Sequence, residues 1–82
     1  MLVKPLRHDL IKYLRNKKLV KKYQKQIDLF SLNPRHPSLH TEILEPKDLR
    51  IYSFRLDRQY RAIFIIVKGE VEIVDINAHY QK

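Results

Sequence analysis

The spacing of apolar side chains changes at two prolines, Pro34 and Pro37, and this change divides the chain into two halves. Upstream of the prolines, apolar residues recur every three or four positions, which is typical of amphipathic helices. Downstream, they alternate with polar residues, which is typical of strands that bury one face. Because 82 residues is the size of one domain, residues 1–82 are interpreted as a single α+β domain.

Two helices are predicted in the first half, with a break near Asn16. Pro5 suits the first turn of a helix, because its missing N–H would have no partner there. Asn33 ends the second helix, because the residue before a proline is driven out of the α region. The predicted inner faces consist of Leu6, Leu10, Tyr13 and Leu14 in the first helix, and of Val20, Tyr23, Ile27 and Phe30 in the second, which spans about residues 19–32.

Three strands are predicted in the second half, at about residues 50–56, 60–67 and 71–77. These segments are rich in β-branched and aromatic residues. Short turns join them, so they must be antiparallel neighbours. Residues 1–4 are a candidate for a short first strand, and residues 41–44 for a short extended piece.

The register of the first two of these strands decides where Arg55 and Arg61 point. An arginine in a strand is costly unless it faces water or an anion. A three-residue loop that pairs Leu56 with Tyr60 makes the two arginines cross-strand neighbours on the face away from the helices. A two-residue loop would turn Arg55 towards the core, where it has no obvious partner. The sequence therefore predicts a pair of arginines on the open face of the sheet.

The turn that contains Gly69 leaves two registers open. A two-residue turn of Lys68 and Gly69 would put Asp75 on the core face. A three-residue loop with Gly69 in a bulge would instead put Asp75 and His79 on the face of Arg61. Lysine tolerates positive φ poorly, which favours the second register. That register leaves an apolar patch on the arginine face, a feature typical of a protein-binding surface. The patch consists of Ile63, Ile65, Val71 and Ile73.

The chain is strongly basic, with 17 Lys and Arg against 9 Asp and Glu and a net charge of +8. This charge indicates a polyanion or an acidic protein as partner. The single glycine excludes a glycine-rich phosphate loop. No run of about 18 apolar residues is present, so no membrane partner is expected. The predicted outer face of the second helix is lysine-rich and consists of Lys18, Lys21, Lys22 and Lys25.

The arginine face combines groups that suit phosphate chemistry. Arginine binds phosphate through two parallel hydrogen bonds and keeps its proton. A histidine such as His79 can donate or accept a proton near neutral pH. An RNA strand carries its own nucleophile, the 2′-hydroxyl group, so arginines with a histidine or a tyrosine such as Tyr80 would suffice for cleavage. We therefore expect neither a metal ion nor a cofactor.

Three segments resemble, in this order and spacing, the RelE/ParE toxin superfamily of type II toxin–antitoxin systems. The segments are LNPRHPSLHTEIL, IYSFRLDRQYRAIF and VEIVDINAHY. The resemblance covers nearly the whole chain. It implies a β-α-α-β-β-β arrangement, in which a helical hairpin packs on one face of an antiparallel four-stranded sheet.

The resemblance also implies a function and a role for several residues. Most RelE-like members are mRNA endonucleases that cut at the ribosome, and those of the YoeB, YafQ and HigB kind end in a similar way to this chain. By that match His79 is the general acid or base, Arg61 binds the transition-state phosphate, and Arg55 is a second phosphate or RNA contact. Tyr80 matches a C-terminal active-site tyrosine of some members. No clear counterpart of the glutamate base of other relatives is found.

The partners implied are a cognate antitoxin on the apolar patch, and the ribosome with its mRNA on the lysine-rich helix face. The absence of cysteine and of a signal peptide is consistent with a cytoplasmic protein. Two alternatives remain open from the sequence. One is a ParE-like inhibitor of DNA gyrase, and the other is a basic RNA-binding homologue that has lost catalysis.

Overall fold

The computed structural model describes residues 1–78, so the predicted site residues His79 and Tyr80 lie outside the described residues. The four strands form one antiparallel sheet in the order β1-β2-β3-β4, and both helices precede them in the chain. The predicted fold class, a helical hairpin with a four-stranded antiparallel sheet, is confirmed. The elements are α1 (His8–Asn16), α2 (Val20–Leu32), β1 (Glu42–Ile43), β2 (Tyr52–Arg55), β3 (Tyr60–Val67) and β4 (Glu70–Ala78), with 3₁₀ turns at Pro37–Leu39 and Lys47–Leu49.

The first residues of the chain lie beside the edge strand β4. Val3 and Val71 form a single parallel bridge. The amide of Lys4 donates to the carbonyl of Val71 at 2.8 Å, and the amide of Val71 donates to the carbonyl of Leu2 at 2.9 Å. The predicted first strand is therefore reduced to this bridge, and the short piece at residues 41–44 supplies β1 instead.

The two helices meet at a tight break around Lys18, whose φ of 57° is left-handed. The amide of Leu19 donates to the carbonyl of Leu14 at 2.7 Å and turns the chain back. Leu19 precedes α2 and is only 2% exposed, whereas Val20 is 48% exposed. The expectation that Val20 lies on the inner face is therefore wrong, because the capping residue Leu19 fills that place in the core. Within residues 1–78, neither helix is long and apolar enough to cross a membrane.

Aromatic rings join α2 to the middle of the sheet. The ring centroid of Phe30 lies 5.0 Å from that of Phe54 on β2, and also 5.0 Å from that of Phe64 on β3. Stacking and edge-to-face contacts of this kind add to the gain from burying apolar area. The core therefore lies between α2 and one face of β2 and β3, and the opposite face carries the arginines.

The register between β2 and β3 agrees with the prediction. Arg55 lies directly opposite Arg61. The amide of Leu56 donates to the carbonyl of Tyr60 at 2.9 Å, which closes a three-residue loop. Within that loop, Oδ1 of Asp57 accepts from the amide of Tyr60 at 2.8 Å.

The turn between β3 and β4 differs from the favoured prediction. Val67 pairs with Glu70, so the turn contains only Lys68 and Gly69. Both residues have positive φ, 51° and 80°. A two-residue turn with both φ values positive matches the right-handed twist of the strands. The fit of the turn to the hairpin thus outweighs the poor tolerance of lysine for this conformation.

A bulge in β4 then restores the predicted orientation of the end of the strand. Phe64 lies opposite Ile73 and Ile63 opposite Asp75, so Val74 is the extra residue. Beyond the bulge, Ile76 is in the core, whereas Asp75 is exposed.

The predicted apolar patch is wrong for two of its four members. Val71 and Ile73 are 0% and 3% exposed, in the core, because the two-residue turn places them on the helix side. Ile63 and Ile65 are half-buried and lie on the same face of β3 as Arg61.

Candidate functional site

Arg61 is held in a fixed orientation on β3. Its Nε donates to Oγ of Ser53 at 2.9 Å, and its Nη2 donates to the carbonyl of His40 and, at 3.3 Å, to that of Ser53. The residue is 6% exposed, and its burial lowers the pKa of the guanidinium, which arginine tolerates without losing its proton. Its Nη1 makes no hydrogen bond to a described residue. Within residues 1–78, no buried polar side-chain atom is left without a hydrogen-bond partner.

Glu42 places a carboxylate beside this guanidinium. It lies opposite Ser53 across β1 and β2, and its Oε1 is 3.6 Å from Nη2 of Arg61. The Glu42 side chain is 53% exposed, so the carboxylate faces solvent as well as Arg61. Glu42 was not among the predicted site residues. Its acidic side chain in the short extended piece was the available signal, but its place depends on how β1 pairs with β2.

The two charges border a groove of about 320 Å³ on the open face of the sheet. Asn77 lies opposite Arg61 in the register and lines the groove together with Ala78. The side-chain amide of Asn77 donates to Oδ2 of Asp75 at 3.0 Å. Ala78 is the last described residue, and His79 follows it in the sequence.

Arg55 brings a second positive charge to this face. It is half-buried, and its side chain makes no ion pair or hydrogen bond with a described residue. Burial is the largest cause of the lowered pKa of Arg61, and the charge of Arg55 lowers this pKa further, whereas the Glu42 carboxylate raises it. Two arginines that are cross-strand neighbours, of which one has no counter-ion within the described residues, form a suitable site for an anion such as a phosphate.

Gln26 connects α2 to both parts of the site. It is 6% exposed, and its Nε2 donates to the carbonyls of Arg55 at 2.7 Å and Ser38 at 3.2 Å. The first bond fixes the end of β2, and the second fixes the loop whose His40 carbonyl accepts from Arg61. Sequence analysis did not identify Gln26, although a glutamine beside the buried position of Ile27 was a possible signal of a buried polar contact.

The four lysines of the predicted RNA-binding face are exposed. Lys18 lies in the break before α2, and the other three lie on α2. Nζ of Lys22 forms an ion pair with Oδ2 of Asp57 at 2.8 Å. Burial alone would raise the pKa of Asp57, but hydrogen bonds from Lys22 and from the amides of Gln59 and Tyr60 lower it.

No family model matches the chain. Comparison with curated proteins gives a match over part of the chain. An uncharacterized protein of Haemophilus influenzae is 42% identical over 43 residues. The match covers 52% of this chain and 43% of that protein, so it extends over less than half of the relative.

Comparison with solved structures gives matches over almost the whole chain. The YoeB/ParE toxin from Agrobacterium tumefaciens superposes with a TM-score of 0.70 at 16% identity, over 96% of both chains. The YoeB dimer from Staphylococcus aureus superposes with a TM-score of 0.69 at 22% identity, over 96% of this chain and 94% of that one. The YoeB-YefM complex from the same organism superposes with a TM-score of 0.68 at 23% identity, over 96% of this chain and 94% of that one. The chain therefore has the RelE/ParE-like fold of the YoeB toxins, as the resemblance of its sequence implies.

Proposed function

We propose that the chain is the toxin of a toxin–antitoxin pair and acts as an endonuclease on mRNA at the ribosome. The observation that carries this proposal is the buried guanidinium of Arg61, which Ser53 and the His40 carbonyl hold in place through its Nε and Nη2 atoms. A rigid donor of this kind stabilises charge that develops in a transition state, because it needs no reorganisation during the reaction.

The reaction starts with attack of an RNA 2′-hydroxyl on the adjacent phosphate. Glu42 accepts the proton of this hydroxyl, the O2′–P bond forms, and Arg61 and Arg55 stabilise the charge on the non-bridging oxygens. The P–O5′ bond then breaks, and His79, which Tyr80 follows in the sequence, supplies the proton to the leaving oxygen. The products are a 2′,3′-cyclic phosphate and a 5′-hydroxyl. Glu42 would thereby fill the role of base that the sequence left without a candidate.

Two surfaces fit the partners of such an enzyme. The exposed lysines of α2 are suited to the phosphates of ribosomal RNA, with an affinity that falls as salt rises. The half-buried Ile63 lines the groove beside Arg61, and the half-buried Ile65 lies on the same face of β3, so an antitoxin segment with apolar and acidic side chains would cover the site. The structure of a YoeB toxin in complex with YefM provides a precedent for such a partner.

Cleavage of mRNA on translating ribosomes tests the proposal. Arg61→Lys keeps the charge but loses the planar pair of donors, so we expect cleavage to fall by about 10²-fold or more. Arg58→Lys is the matched control, because Arg58 is exposed in the β2–β3 loop. His79→Ala should also lower cleavage strongly. Equal cleavage by wild type and Arg61→Lys, or inhibition of gyrase supercoiling without any RNA cleavage, would overturn the assignment.

A further inference from the structure

A second and larger groove, of about 460 Å³, lies at the β1 edge of the sheet. It is lined by the loop that follows α2, including Arg35, His36 and His40, and by Tyr52 of β2. The proposed reaction uses none of these side chains. The LNPRHPSLHTEIL segment, which the sequence analysis singled out, supplies most of the groove.

Three residues of the loop that can donate hydrogen bonds, Arg35, His36 and His40, line this groove. Nδ1 of His36 accepts from the amide of Ser38 at 3.2 Å, so this nitrogen carries no proton and the ring N–H lies on Nε2. The guanidinium of Arg35 makes no ion pair with any described residue, and neither does the imidazole of His40. These donors have no counter-ion within residues 1–78.

The remaining wall of the groove is apolar and aromatic. Ile43 lies opposite Tyr52 in the register of β1 and β2. The ring of Tyr52 stacks on Phe64, with a centroid distance of 5.4 Å and an angle of 20°, which holds it in place while the ring remains half-buried. Glu42 is the one acidic residue in the lining, and its carboxylate lies beside Arg61. The groove therefore combines positive charge with a rigid aromatic surface.

The position of this groove relates it to the arginine site. Alternation along a strand sends neighbouring side chains to opposite faces, so Glu42 lies on the face of Arg61 and Ile43 on the other. Both grooves border Glu42, and β1 contains only two residues. A ligand that crosses this short edge strand would reach both grooves.

We propose that the second groove binds a nucleotide of single-stranded RNA, with its phosphate on Arg35, His36 and His40 and its base on Tyr52. Positive grooves with aromatic platforms bind single strands in this way, through the backbone charge and through stacking. The choice of a nucleotide over another anion rests on the proposed function. The groove would hold a neighbour of the nucleotide cleaved at Arg61.

Amide chemical-shift titrations of the full chain with adenosine 5′-monophosphate test the proposal, with adenosine and inorganic phosphate as comparison ligands. We expect saturable shifts at residues 35–43 with the monophosphate, and weaker binding of either comparison ligand. Arg35→Glu reverses the charge at the groove and should weaken binding by about tenfold or more. His40→Asn shortens the side chain but keeps a residue that tolerates the left-handed φ of 44°, and it should weaken binding as well.

Lys12→Glu is the control with the same change in net charge. Lys12 is exposed on α1, which packs against β4, at the opposite edge of the sheet from β1. Lys12→Glu should bind adenosine 5′-monophosphate as tightly as the wild type does. The proposal is overturned if no saturable shift occurs at residues 35–43, or if both Arg35→Glu and His40→Asn bind as tightly as Lys12→Glu. The titration needs no ribosome, so its failure is distinct from a failure of the cleavage assay.

Discussion

Arg55 and Arg61 lie opposite each other across β2 and β3, but of these two side chains only that of Arg61 forms hydrogen bonds with described residues. The buried Ser53 accepts from Arg61 through both its hydroxyl and its carbonyl, and the carbonyl of His40 accepts from it as well. Arg61 is therefore a preorganised part of the site. Arg55 is half-buried without such bonds, so it can adjust to a bound phosphate.

Replacing Ser53 with alanine should lower both stability and activity. The substitution removes one hydrogen bond to a charged group in a buried site, so we expect the free energy of unfolding to fall by about 1–3 kcal/mol. Cleavage should fall too, because the guanidinium of Arg61 loses one of its anchors. Urea unfolding and the ribosome cleavage assay measure the two effects.

Ser31→Ala is the matched control for that substitution. Oγ of Ser31 donates to the carbonyl of Ile27 within α2 at 2.9 Å. A back-bond of this kind contributes little to a helix, so the free energy of unfolding should change by less than about 0.5 kcal/mol. Equal effects of Ser53→Ala and Ser31→Ala would contradict the anchoring role of Ser53.

Replacing Glu42 with glutamine should separate binding from chemistry. The variant loses a proton acceptor, so single-turnover cleavage should fall by about 10²-fold or more. It also loses a negative charge 3.6 Å from Arg61, so RNA with a 2′-deoxy group at the cleavage position should bind at least as tightly as it does to wild type. Glu45→Gln, an exposed neighbour, is the control for charge alone. Unchanged cleavage by Glu42→Gln would exclude Glu42 as the base.

Replacing Gln26 with leucine should loosen the loop at residues 34–41. The variant removes the side-chain donor from the carbonyls of Arg55 and Ser38, two partly buried bonds, and a group left unsatisfied in a fully buried place costs about 1–3 kcal/mol. We expect a lower free energy of unfolding and faster amide hydrogen exchange in this loop. Gln24→Leu is the control, because Gln24 is exposed and its side chain donates to Asp28 on its own helix. Normal exchange in Gln26→Leu would contradict the connecting role of Gln26.

The lowered pKa of Asp57 predicts how its contribution to stability depends on pH. A carboxyl whose pKa is lower in the folded protein than its ordinary value of about 3.9 stabilises the fold above that value. The contribution is lost as the pH falls through the lower folded pKa. Asp57→Asn keeps an oxygen for the amides of the loop but loses the charge that faces Lys22.

Urea unfolding of wild type and Asp57→Asn at several pH values tests this dependence. The wild type should be the more stable of the two at pH 7, and the difference should disappear in strong acid. Asp48→Asn, at an exposed position in a 3₁₀ turn, should show a smaller difference. A constant difference between wild type and Asp57→Asn over the whole range would rule out the proposed charge contribution.

The pairing of the two arginines was predictable because local constraints agree there. The apolar faces of β2 and β3 must both meet the helices, and three residues separate Leu56 from Tyr60, so one register satisfies both conditions. Glu42 was not predictable in the same way. Its place depends on β1, whose two residues contain too little alternation to reveal a face and are separated from β2 by eight residues of loop and turn.

The orientation of the end of β4 was predicted correctly, although the irregularity was predicted at the wrong residue. Sequence reasoning placed one irregularity at Gly69, whereas the structure has a regular two-residue turn and an extra residue at Val74. In either arrangement the side chains of β4 exchange faces once, so both put Asp75 on the open face. Only the observed one buries Val71 and Ile73. The place of a bulge within an apolar strand depends on packing against the helices, which alternation alone does not encode.

The turn itself provides the last prediction. Lys68 has a φ of 51° at the first central position of the two-residue turn, where asparagine followed by glycine is the preferred pair. Lys68→Asn relieves part of the cost of about 1–2 kcal/mol that an ordinary residue has in this region. We therefore expect an increase in the free energy of unfolding, measured by urea, whereas Lys68→Val should decrease it because β-branched residues fit positive φ worst. If wild type, Lys68→Asn and Lys68→Val all had the same free energy of unfolding, the turn would not have the two-residue geometry described.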